Sequence, residues 1–159
     1  MADFDVSKLS RADQIIGVSA IVLFVFSFFD WFAVDLGPGL GSSGGNAWDF
    51  TLCWLAVIIG LVMLVQIVLA KFSSVDMPNL GGVTWGQIHM VLGIVAFAFV
   101  LIKLISGVDT GPLDIDIKRK IGIFVGLIAA AGLAVGGYLK MQEEKGAAPA
   151  SGAGPGPIA

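Results

Sequence analysis

Four long, almost uncharged apolar runs alternate with short polar connections along this chain. The first, residues 14–32, reads QIIGVSAIVLFVFSFFDWF and carries a single charge, Asp30. The second, residues 48–70, holds no charge after Asp49. The third, residues 85–105, has His89 near its start and Lys103 near its end. The fourth, residues 121–138, is uncharged. A hydrocarbon layer about 30 Å thick needs about 20 apolar residues in helix, and each run is close to that length. None has the period-two alternation of barrel strands. The pattern predicts an all-α, polytopic membrane protein, a four-transmembrane-helix bundle over residues 14–140. Residues 1–13 form an N-terminal segment. Residues 141–159 end in GAAPASGAGPGPIA, too poor in large apolar side chains to build a core, and are expected to be a disordered tail. Ser10 followed by Asp13 fits a capping box that would start the first helix. That helix is expected to be retained, because FFDWFAVDLG is bulky where a leader cleavage site needs small residues.

Composition strengthens the lipid reading. Hydrophobic residues make up 57% of the chain and charged residues 13%, too little charge for the surface of a soluble domain of this length. A net charge of -3 gives no footprint for nucleic acid. Cys53 and His89 each stand alone among their residue types, so one copy has no disulfide, no bis-histidine haem site and no zinc cluster. No metal or cofactor is expected. Phosphate loops, nucleophile elbows and zinc-protease helices are also missing, and the chain is not expected to be an enzyme.

An even number of spans puts both termini on one side. Lys8 and Arg11 before the first run, with Lys71, Lys140 and Lys145, argue for a cytoplasmic N-terminus. Lys103, Lys118, Arg119 and Lys120 fall on the opposite side and narrow the margin. Phe28, Phe29, Trp31, Phe32, Trp48, Phe50 and Trp54 collect at one proposed interface, and Trp85 and Tyr138 at the other. The loop AVDLGPGLGSSGGNA is expected to be flexible, and KFSSVDMPNLGG a turn region.

A few residues are candidates for a specific role. Gly122, Gly126, Ala130 and Ala134 recur every four residues, and Gly132 and Gly136 make a second small pair. Such a stripe lets a backbone approach closely, either within the chain or from a partner or second copy. Gln66, deep in the second run about a turn from its inner end, and His89, about one turn into the third run near the inner headgroups, lie on the same side, and a pair between them is one hypothesis. Asp30, Asp35 and Asp49 flank one loop as an acidic cluster, with solvated interface acids as the plainer alternative. Lys118, Arg119 and Lys120 would meet anionic lipid or a partner. Lys103 is expected to snorkel to the headgroups.

The segments FFDWF, GNAWDF and KRKIGIFVGLIAAAGLAVGGYLKMQEEK resemble a widespread group of small four-helix integral membrane proteins of actinobacteria. That resemblance implies the same topology and a bacterial plasma membrane. It implies no catalytic residues, because the group has no established activity. The expected function is a non-enzymatic accessory or scaffolding subunit, associating with a larger membrane complex or with itself. The alternative is a small oligomeric transporter or channel component. The bilayer and a membrane-protein partner are the expected contacts.

Overall fold

The computed structural model describes residues 9–73, 81–109, 111–112 and 115–152, with side chains as far as Gly146. Most of it is helix: α1 (Arg11–Phe26), α2 (Thr51–Phe72), α3 (Trp85–Ser106) and α4 (Ile121–Gly152). Three short strands, β1 (Phe32–Asp35), β2 (Ser42–Gly45) and β3 (Ile117–Arg119), complete it. α2, α3 and α4 are each long and apolar enough to cross a membrane.

Each helix packs on its two neighbours in a ring, α1 on α2, α2 on α3, α3 on α4 and α4 on α1. Consecutive helices run antiparallel. Asp13 of α1 meets Lys140 of α4, while Trp31, just past α1, lies against Gly122 and Gly126 at the other end of α4. The core is apolar, built from Ile16, Ala20 and Leu23 of α1, Val57 and Met63 of α2, Ala96 and Val100 of α3, and Ile123, Ala130 and Leu133 of α4. The outward faces are apolar too. Val18, Ile21, Val62, Val65, Val91, Ile94, Ile128 and Val135 are all exposed, as a lipid-facing surface requires.

α1 starts as its sequence predicts. Ser10 Oγ accepts from Asp13 N–H, and Asp13 Oδ2 accepts from Ser10 N–H. It ends early, however, at Phe26 rather than residue 32. Its 16 residues span about 24 Å, short of a hydrocarbon layer. The reason lies in competing hydrogen bonds. Trp31 N–H donates to Gly45 O at 2.8 Å, and Trp31 Nε1–H donates to Phe26 O at 2.8 Å. Trp48 Nε1–H meets Ser27 Oγ at 3.0 Å. These bonds satisfy polar groups of the backbone where it leaves the helix.

The loop expected to be flexible is a β-hairpin. β1 is the central strand, antiparallel to β2 with Phe32 opposite Gly45, and antiparallel to β3 with Phe32 opposite Arg119. Its turn closes through Leu36 N–H to Gly41 O and Gly37 N–H to Asp35 Oδ1. Gly37, Gly39 and Gly41 all have positive φ, a conformation that side chains other than glycine's resist. α4 also exceeds its expected end at residue 138 and continues as far as Gly152, into the segment read as a disordered tail. Residues 153–159 of that tail, residues 1–8 and most of the KFSSVDMPNLGG turn lie outside the described residues.

Candidate functional site

Two polar regions stand at opposite ends of the bundle, one around Asp13 and one around the sheet. The Asp13 end was not expected from the sequence. Asp13 is 1% exposed, and its Oδ1 accepts from Lys140 Nζ at 2.7 Å. Lys71 Nζ lies 3.5 Å from Oδ2. The Ser10 N–H also donates to Oδ2, so the buried carboxylate is met by two ammonium groups and a backbone donor.

One turn further along α4, two acids tie down other helices. Glu143 Oε1 accepts from Ala12 N–H at 3.3 Å, and both Glu144 carboxylate oxygens accept from Gly86 N–H, at 3.0 and 2.9 Å. Ala12 and Gly86 lie in the first turns of α1 and α3, where N–H groups lack helical partners and the dipole is positive. α4 thus caps two antiparallel neighbours with its own carboxylates. The signal was available in the sequence. Lys140, Glu143 and Glu144 continue the face of Gly136 and Gly137 at three- and four-residue spacing.

The small-residue stripe is filled from within the chain. A Cβ added at Gly126 would lie 2.6 Å from the Trp31 ring, and one at Gly122 would strike the same ring. Gly132 receives Ser19, and Gly136 receives Ile16 with a Cβ clearance of 2.5 Å. Ala130 is buried, and Ala134 is the α4 backbone that Gly93 approaches. Gly93 and Gly137, neither singled out from the sequence, bring α3 and α4 into backbone contact. A Cβ at Gly93 would sit 2.5 Å from Leu133 O, and one at Gly137 would sit 2.5 Å from His89 O. Neither backbone can give way. Gly93→Val and Gly137→Val are therefore each expected to cost about 1–3 kcal/mol, read as a shifted unfolding midpoint in detergent. Gly146→Ala, which meets open space, is expected to cost little.

The Gln66–His89 pair does not form. Gln66 Oε1 and His89 Nδ1 are both buried without a hydrogen-bond partner. His89 is 1% exposed and stacks its backbone on Gly137 of α4, whereas Gln66 lines a lateral apolar groove of about 490 Å³ with Val62, Val65, Leu69 and Trp85.

The acidic cluster separates in the same way. Asp49 Oδ2 accepts from Asn46 N–H at 2.9 Å, capping a 3-10 turn before α2. Asp35 holds Gly37 N–H, and the Asp30 side chain covers Gly44. Among the described residues no group of three acids, histidines or cysteines could hold a metal ion. Lys103 does not reach outward either. Its ammonium lies 4.7 Å from the Phe50 ring centre and 5.8 Å from that of Phe32, a cation–π arrangement beneath the sheet. Trp31 is fully buried, while Phe28, Phe29 and Trp48 remain exposed.

The basic run divides by strand alternation. Arg119 turns toward α3, where Nε–H donates to Leu104 O at 2.7 Å and a terminal N–H meets Ile105 O at 3.4 Å. A cation at a helix C-terminus satisfies orphan carbonyls and opposes the dipole. Lys118 and Lys120 project from the other face of β3 and line a separate cavity with the hairpin. No protein-family model matches the chain, and no similar curated protein or solved structure is found.

Proposed function

We propose that the protein is a non-enzymatic, four-span subunit of a bacterial plasma membrane, acting as an accessory or scaffold for a membrane-protein partner or a second copy. The reading puts both termini in the cytoplasm. α1 completes the fourth crossing together with the hydrogen-bonded segment around Trp31. The observation that carries the functional part is the use of the charged groups. Asp13, Lys140, Glu143, Glu144 and Arg119 bond to one another or to helix ends, and the interior between the two ends is apolar. An arrangement of this kind favours a rigid body over a conduit through one copy. Of the three long helices, α3 is the least covered by the chain itself and α4 the most, so a partner helix belongs against α2 and α3.

Photo-crosslinking residues placed at Val65 and Ile94, both exposed, test this in native membranes. A discrete protein adduct is expected from both positions and none from Ile128 on α4. Adducts to lipid alone at all three positions would contradict the scaffold. The second reading, an oligomeric transporter or channel component, is favoured by Gln66 Oε1 and His89 Nδ1, buried polar side-chain atoms without partners among the described residues. Flux through proteoliposomes that His89→Leu abolishes would support it.

A further inference from the structure

The cavity on the sheet is not explained by the packing of the helices. It measures about 400 Å³ and is lined by Ala33, Asp35, Lys118, Lys120 and the glycines of the hairpin turn. Because Lys118 pairs with Ala33 across the ladder, it shares that strand face, and Lys120 follows two positions on. Both lysines therefore line one cavity. Neither makes an ion pair among the described residues. Lys120 also immediately precedes α4, so the positive end of that helix adds to the same field. Opposite the lysines, Gly37, Gly39 and Gly41 leave open space where side chains would stand, so the turn's backbone is free to approach a bound group. Asp35 is the acidic lining residue, and its Oδ1 is engaged by Gly37 N–H.

Two sheet-held lysines beside an unobstructed glycine turn suit a tetrahedral oxyanion. The exposed Phe28 and Trp48, in tilted contact with ring centres 5.9 Å apart at this end, fit headgroup depth. We propose that this cavity binds the phosphate group of a membrane lipid, gripped by Lys118 and Lys120 with Asp35 bordering it. The proposal rests on the sheet end lying at a membrane surface. The division of the basic run makes it specific, because Arg119 belongs to α3 and only the flanking lysines take the ligand.

Retention of phosphatidylglycerol on the purified protein, measured by native mass spectrometry in a phosphate-free, uncharged detergent, is the test. Lys118→Gln and Lys120→Gln are each expected to weaken retention about fivefold, and the double variant about thirtyfold. Lys145→Gln, at the other end of the bundle, is expected to bind as the unaltered protein does. Displacement by millimolar inorganic phosphate would show that the phosphate itself is recognised, whatever carries it. Retention despite inorganic phosphate, still dependent on both lysines, would show recognition of the lipid-borne diester. Equal retention by all folded variants would overturn the proposal, and the single variants carry the test should the double one fail to fold.

Discussion

Replacing Trp31 with alanine is expected to lower the unfolding free energy by about 3–5 kcal/mol, among the largest effects available in this chain. The ring is fully buried, its Nε1–H holds the end of α1, and it fills the hollow left by Gly122 and Gly126. Alanine would empty that hollow and remove the indole bond to the Phe26 carbonyl, leaving it only the Phe29 N–H at 3.2 Å. The compensating change is specific. Gly126→Leu alone should clash with the ring, whereas combined with Trp31→Ala it should recover part of the loss. Reversible unfolding in mixed micelles, followed by tryptophan-independent helical signal, measures both. If the double variant were as unstable as the sum of the singles, Trp31 and Gly126 would not share one packing site.

The second large effect concerns Asp13 and Lys140. Lys140→Met should cost about 3–5 kcal/mol, because it leaves a buried carboxylate with only the half-exposed Lys71. Asp13→Asn with Lys140→Met should recover most of that loss, since removing both charges also removes their desolvation cost. If the double variant were as unstable as Lys140→Met alone, the cost would not come from the uncompensated carboxylate.

The helical part of the fold was largely legible. α2, α3 and the start of α4 fall within a few residues of the apolar runs, since uncharged length is what a membrane span demands. The capping box of α1 was legible too, because its partners are three residues apart. What the apolar pattern concealed depends on contacts distant in sequence. FSFFDWF continues the apolar run, yet pairing of Trp31 with Gly45 and packing on Gly126 pull the chain out of helix. β2 reads SSGG and has no strand propensity of its own, so only its register with β1 makes it a strand. The Gln66–His89 idea rested on shared depth, which does not fix which face of a helix each residue occupies. The basic run, read as one patch, divides because strand alternation sends Arg119 opposite to Lys118 and Lys120.

The claim beneath all of this is that α1, despite its 16 residues, crosses the bilayer with the other three helices. Single cysteines at Arg11, Leu40, Gly82, Asp116 and Gln142, in a Cys53→Ser background, can be labelled from either face of oriented membrane vesicles with an impermeant maleimide. The four-span bundle predicts that Arg11, Gly82 and Gln142 react from one face, and Leu40 and Asp116 only from the other. Arg11 and Leu40 reacting from the same face would mean that α1 does not cross.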